Sequence, residues 1–257
     1  IPVAGSVIIA YAFVNLGFMN HTDLGNATLS REWLSSSFDI SSDIGSLFKN
    51  IFVDVFLFKN NSYNAVLWTM TYELLGSFLI FGYLFVTHPF KYKYWAYGSL
   101  LLLLFGVQQY YYGAFILGVL LNKYVVQNHS KLLKNNFPTW LLWPIFVCGL
   151  YFSSYPFYED IKTTIYACIT FTWLKNSEFY HVIGAFMILF VILNSARVQN
   201  ILSGKVLSFI GKISFSFYLL HFIILCSLSC YLFKLFYQWY EYNSAVILAF
   251  LCSLPFI

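Results

Sequence analysis

From Ile213 to Phe233 the chain runs twenty-one residues without one Asp, Glu, Lys or Arg. At 1.5 Å per helical residue that run reaches across about 30 Å of hydrocarbon. Lipid offers no partner to an open backbone group, so such a run must close its hydrogen bonds within a helix. Seven further apolar stretches repeat the pattern at or near spanning length: Val3–Met19, Ala65–Val86, Tyr94–Val107, Tyr110–Val126, Trp140–Phe152, Val182–Leu193 and Ser244–Ile257. Only 9% of the residues are charged, against roughly 25% in a soluble domain, while 60% are hydrophobic. The expectation is an all-α, polytopic transmembrane helix bundle of about eight spans forming a single domain over residues 1–257.

Basic residues set the orientation of such a chain rather than marking a nucleic-acid surface. Ile161–Leu174, "IKTTIYACITFTWL", is too short and Thr-rich for an ordinary span. Read as re-entrant or interfacial, it puts Lys91 and Lys93, then Lys123, Lys131 and Lys134, then Arg197, Lys205 and Lys212 on one side, the cytoplasmic pattern. Read as a full span, it sends the last group across, so the re-entrant reading is preferred. The long polar loop 20–64 is then non-cytoplasmic, and its sequons at Asn20, Asn26 and Asn60 agree with that side. Within it "IGSLFKNIFVDVFLF" is apolar enough to lie along the interface. The five cysteines have no metal-type spacing and read as apolar packing residues.

Two ionisable groups stand at mid-membrane depth, where charge is costly. Glu73, in "LWTMTYELLGS", lies about 12 Å below the outer boundary if its helix starts near Ala65. His221, in "KISFSFYLLHFIIL", lies about 12 Å from the opposite side if its helix starts near Ile213. Their depths then agree within about 6 Å, so a carboxylate beside an imidazole would hold its tautomer and raise its basicity. Structural roles in helix packing are equally weighted for both. Thr69, Thr71 and Tyr72 surround Glu73, and Ser214, Tyr218 and His221 form a polar stripe at i, i+4 and i+7. His21, His88 and His129 read as solvated loop residues; His181 begins a span at the outer side, with lining an entry as its lesser alternative. No Walker motif, metal-spaced cluster or serine-hydrolase elbow is present, so ATP-driven pumping and metal hydrolysis have no residue basis.

"LWTMTYELLGS" (Leu67–Ser77), "YYYGAFILGVLLNK" (Tyr110–Lys123) and "VLSFIGKISFSFYLLHFIIL" (Val206–Leu225) resemble, in order, three stretches of the acyltransferase family 3 membrane enzymes. The third is the most specific, with Gly, Ser, Tyr and His at matching offsets. The resemblance implies transfer of an acyl group, commonly acetyl from acetyl-CoA, to a hydroxyl on a carbohydrate or lipid-linked acceptor, with no bound cofactor. By position it carries Glu73 and His221 over as catalytic candidates. Trp68, Tyr72, Tyr218 and Ser214 follow as substrate-binding candidates. The family also carries an upstream His considered catalytic, followed by an Arg-rich stretch ending at a Pro; Pro2 looks like that end, so the sequence reads as a piece of a longer chain. A proton-coupled small-molecule or lipid transporter, with Glu73 and His221 as relay, and an inactive scaffold are the competing expectations.

Overall fold

The computed structural model describes residues 1–25, 34, 37, 38, 40, 43–127, 138–157 and 161–256. The sequon at Asn26 and residues Arg31, His129, Lys131 and Lys134 lie outside them. Among the described residues the chain is helical without strands. It divides into two compact units, Ile1–Leu75 with Ser208–Ile257, and Gly76–Leu207.

In the first unit, α1 (Pro2–Asn15) begins with Pro at its first position, where the missing N–H costs nothing. After α2 (His21–Gly25), α3 (Ile44–Lys49) is capped by Asp43, whose carboxylate accepts from the Ser46 amide at 2.7 Å. A π-helical turn, Asn50–Asp54, and the short α4 (Val55–Leu57) continue it. Leu47, Ile51 and Val55 of this stretch are buried with Val3, Val7, Leu67, Met70 and Leu219. Its opposite side exposes Ile44, Phe48 and Phe52, as an interfacial helix would.

The 3-10 turn Ala65–Leu67 leads into α5 (Trp68–Thr87). The long helix that ends the unit comprises α11 (Lys205–Ile224), the π turn Leu225–Ser229 and α12 (Cys230–Phe236), followed by α13 (Tyr242–Ser253). Ala10, Ala245 and Ala249 pack with Phe222, Ile223 and Cys226, small residues letting the helices approach closely. Val3 and Val7 belong to the same buried cluster as Leu219, and Ala10 to that of Phe222 and Cys226.

In the second unit α6 (Lys93–Gly106) and α7 (Tyr110–Gln127) form a hairpin through Gln108, which takes the left-handed backbone at φ 57°. The tightest crossing joins α8 (Thr139–Ser153) to α9 (Asn176–Asn194), which is followed by α10 (Ala196–Leu202). A Cβ on Gly184 would stand 2.6 Å from the Ser153 nitrogen and 2.7 Å from the Gly149 carbonyl oxygen. Both contacts are backbone, so neither yields.

Helix forms in all eight apolar stretches. Three are long and apolar enough to cross a membrane, Ala65–Thr87, Asn176–Asn194 and Lys205–Phe236. Pro2–Asn15, Tyr94–Gly106, Trp140–Ser153 and Tyr242–Phe256 are apolar but shorter, at 10–17 residues. An eight-span count therefore exceeds what helix length alone supports.

Ile161–Leu174 forms no continuous helix, only 3-10 turns at Ile161–Thr163 and Ala167–Ile169, which removes the full-span alternative. Side chains from flanking helices satisfy its carbonyls instead. Tyr151 donates to Ile165 O at 2.8 Å, Tyr180 to Ile169 O at 2.5 Å, and Gln108 to Trp173 O at 2.6 Å. Asn176 donates to Phe171 O at 2.7 Å. His181 donates to Tyr155 O at 2.8 Å, just past the end of α8.

Gly184→Ala is expected to force α8 and α9 apart and to destabilise the protein by about 1–3 kcal/mol, the usual cost of overpacking. A thermal unfolding scan in detergent checks this. Gly82→Ala, where a Cβ would meet nothing within 4 Å, is the control and leaves the midpoint equal or higher, since Ala favours the helix.

Candidate functional site

The sequence-singled residues of α5 and α11 meet through two reciprocal hydrogen bonds. Asn64, fully buried, caps the 3-10 turn with Oδ1 and donates from Nδ2 to the Leu219 carbonyl at 2.7 Å. In return the Tyr218 hydroxyl donates to the Val66 carbonyl at 2.6 Å. That proton is its only one, so the Thr69 hydroxyl, 3.1 Å away, donates to the Tyr218 oxygen. Tyr218 is thus a clasp between the two helices.

The clasp also fixes direction. Leu219 lies beside Asn64, while the Tyr218 side chain, leaning toward the start of its helix, reaches Val66 and Thr69. Only an antiparallel pairing of α5 and α11 satisfies both contacts. From Thr69, Glu73 lies four residues farther along α5, about 6 Å. From Leu219, His221 lies two residues the opposite way, about 3 Å. The two backbone positions are therefore separated by more than the 6 Å difference in depth expected from the sequence. That expectation started α11 at Ile213, whereas the helix begins at Lys205 and continues to Phe236.

His221 also obtains its tautomer without a carboxylate. Its Nδ1 lies 2.7 Å from the Tyr218 carbonyl and 3.2 Å from that of Phe217. A carbonyl only accepts, so Nδ1 carries the hydrogen and Nε2 of the neutral ring holds the lone pair. Phe217 stacks at 6.0 Å with 10° between planes, and Tyr218 lies at 6.0 Å on a tilt. Glu73 is exposed at the surface of the chain rather than enclosed by it.

Trp68 and Tyr72 stand one turn apart on α5, their rings edge to face at 5.8 Å. Lys59 joins them, donating from Nζ to the Tyr72 oxygen at 2.7 Å with the ammonium 4.2 Å from the ring centroid. Its backbone holds the left-handed conformation at φ 53°, and its amide donates to the Thr71 hydroxyl at 3.2 Å. Thr71 in turn donates to the Val55 carbonyl. Nothing in the sequence pattern singled out Lys59, because the loop's return onto α5 brings it there.

Ser214 does not join the others. It is exposed, and its hydroxyl donates to the Gly211 carbonyl of its own helix at 2.8 Å. The polar stripe reduces to Tyr218 and His221, because a serine hydroxyl in a helix can satisfy itself on the preceding turn.

His21 was read as solvated and is buried. Nε2 donates to the Ser37 carbonyl at 2.9 Å, the ring packs on Phe38, and Phe38 stacks on Phe222. Nδ1 is buried without a partner. Burial holds the imidazole below its ordinary range, and the Ser37 bond opposes this only in part. Among the described residues no group of three or more His, Cys, Asp or Glu side chains gathers as metal ligands would. Compared with family models, with curated proteins and with solved structures, the chain matches none.

Tyr218→Phe removes the bond to Val66 while keeping the ring, and is expected to cost about 1 kcal/mol, read as a lowered thermal midpoint. His21 gives a pH dependence of definite sign. The native ring is held neutral, so its contribution is complete above the free value of 6.5 and is lost as pH falls below it toward the depressed native value. Hydrogen exchange at the Asn20 amide, which donates to the Cys226 carbonyl, should lose protection between pH 7 and 5 after correction for intrinsic rates. His21→Gln should abolish that slope.

Proposed function

We propose that the chain is the membrane domain of an O-acyltransferase that moves an acyl group, acetyl in the leading case, from acyl-CoA to a hydroxyl of a carbohydrate or lipid-linked acceptor. The observation that carries this reading is the state of His221: with Nδ1–H held by two backbone carbonyls, Nε2 is left as a base. The resemblance of "KISFSFYLLH" and "LWTMTYE" to acyltransferase family 3 points the same way.

In this reading Nε2 accepts the proton of the acceptor hydroxyl, and the oxygen attacks the thioester carbonyl. The C–S bond breaks, an ester forms, and the imidazolium returns the proton to the CoA thiolate. Glu73 stabilises positive charge that develops on the polar groups beside it, and Tyr218 holds α11 against α5 while the imidazole cycles. Trp68 and Tyr72 supply the aromatic side of the site. Lys91, Lys93, Arg197 and Lys205 attract the phosphates of acyl-CoA from the cytoplasmic side, with all eight apolar helices crossing the bilayer and Ile161–Leu174 re-entering it.

The competing reading, a proton-coupled transporter, uses the same two titratable groups and consumes no CoA thioester. Reconstituted full-length protein supplied with radiolabelled acetyl-CoA and a mixed glycan acceptor is expected to release CoA and label the acceptor. Glu73→Gln and His221→Ala are each expected to lower kcat at least a hundredfold. Pairs of variants that both retain full turnover would remove the site assignment, and pH-driven uptake without CoA release would favour transport.

A further inference from the structure

Tyr83, Thr87, Tyr97 and Lys123 converge in the second unit, where α5 ends, α6 begins and α7 nears its end. Tyr97 is the hub, only 2% exposed. Its hydroxyl lies 3.4 Å from that of Thr87, which is buried and donates to the Tyr83 carbonyl at 2.7 Å. Tyr83 in turn donates to the Ala96 carbonyl at 2.6 Å, with its ring 5.8 Å from that of Tyr97. Lys123, half-buried, donates from Nζ to the Tyr97 oxygen. Its ammonium stands 3.8 Å from the Tyr97 ring centroid and 5.7 Å from that of Tyr94.

That cation is drawn inward without a countercharge. Tyr97 takes one of its three ammonium hydrogens, and among the described residues no carboxylate forms an ion pair with it. The sequence gives the reason, since no Asp or Glu occurs between Glu73 and Glu159. Tyr110 packs on Phe179 at 5.4 Å and Tyr124 on Phe190 at 6.0 Å, so α7 and α9 run side by side in the same direction. Glu178, next to Phe179 in the chain, therefore stands at the Tyr110 end of α7, about 20 Å along the helix from Lys123. The Lys123 end carries further cations instead: Lys91 in the α5–α6 loop, its Nζ 5.6 Å from the Tyr92 ring centroid, and Arg197 just after α9. A half-buried ammonium loses hydration that an opposite charge offsets. Here that charge must come from outside the chain.

Depth identifies its source. α5 ends at Thr87 and α9 at Asn194, and both belong to helices long and apolar enough to cross a membrane. With Thr87 beside Tyr97 and Phe190 beside Tyr124, both ends fall near the level of Lys123, which is then the hydrocarbon boundary of a bilayer. Phe90, Tyr92, Tyr94 and Trp95 are exposed at the same end, as in the aromatic belts that sit among lipid headgroups. The anion available at that level is a lipid phosphate. A zwitterionic headgroup brings its own cation to an end that already has several, so a lipid of net negative charge is favoured.

We propose that the Lys123 ammonium, held on Tyr97 and Tyr94, binds the phosphate of an anionic phospholipid. Its remaining hydrogens donate to the phosphate oxygens, and Lys91 adds charge at the rim. The site is independent of the acyl-transfer reading, because it uses neither Glu73 nor His221 and requires no reaction.

The test places the full chain in nanodiscs of dioleoyl phosphatidate and dioleoyl phosphatidylcholine in equal amounts and reads the lipid retained by native mass spectrometry. Phosphatidate is expected to be retained at least tenfold over phosphatidylcholine. Lys123→Gln should lower that preference at least fivefold. Lys175→Gln, which removes a cation preceding the start of α9, should leave it unchanged. A second measurement needs no variant: phosphatidate carrying a diazirine near its glycerol should photolabel wild-type peptides covering 88–97 or 119–127. Equal retention of the two lipids, equal losses in the two variants, labelling confined to other peptides, or displacement of phosphatidate by 3′,5′-ADP overturns the proposal, the last by assigning the cation to a soluble nucleotide.

Discussion

Two side chains from segments about 150 residues apart in sequence, Asn64 and Tyr218, each donate to a main-chain carbonyl of the other's helix. Everything proposed for the site depends on that exchange. A single hydrogen bond between helices permits rotation about its axis, whereas two bonds offset along the helices fix both rotation and register. Because the groups are shielded from water, neither bond is readily exchanged for a solvent one. Register then determines the rest: Leu219 stands beside Asn64, Tyr218 reaches to Thr69, and Glu73 and His221 fall to opposite sides of the clasp. The imidazole, held by its own helix, needs no carboxylate to define its tautomer.

Much of the helical pattern was legible because lipid-like composition leaves few alternatives. The rare ionisable groups Glu73 and His221 stood out for the same reason. Their separation was not legible, since it depends on where α11 begins and on how far the two helices are offset, and both are set by tertiary contacts. Asn64 caps the turn that opens α5, and its second bond, to Leu219, is invisible to any local window. His21 illustrates the opposite error. In a loop rich in Asn, Asp and Ser a histidine reads as solvated, and only the return of Phe38 onto Phe222 encloses it.

The short apolar segments follow a common rule. A backbone in apolar surroundings must have its carbonyls satisfied, and a helix is the cheapest way. Ile161–Leu174 uses another way, borrowing donors from Tyr151, Tyr180, Gln108 and Asn176. Its Thr content, which argued against an ordinary span, serves the same end, as Thr164 and Thr170 bond to carbonyls three and four residues back. Tyr151 and Tyr180 are therefore hydrogen-bond donors to a neighbouring irregular backbone.

The 44–57 helix shows how one short element takes three environments at once. Leu47, Ile51 and Val55 face the protein core, Ile44, Phe48 and Phe52 face outward, and Lys49, Asn50 and Asp54 line a polar pocket. A regular α-helix cannot hold Lys49 and Asp54 on one side, because five residues turn it through about 500°. The π turn resolves that conflict by widening one turn. Its cost in backbone packing is local, whereas its gain is a polar surface next to an apolar one. An α-helical version of the same segment would keep both apolar faces and part Lys49 from Asp54, so the irregularity is what brings those two side chains together.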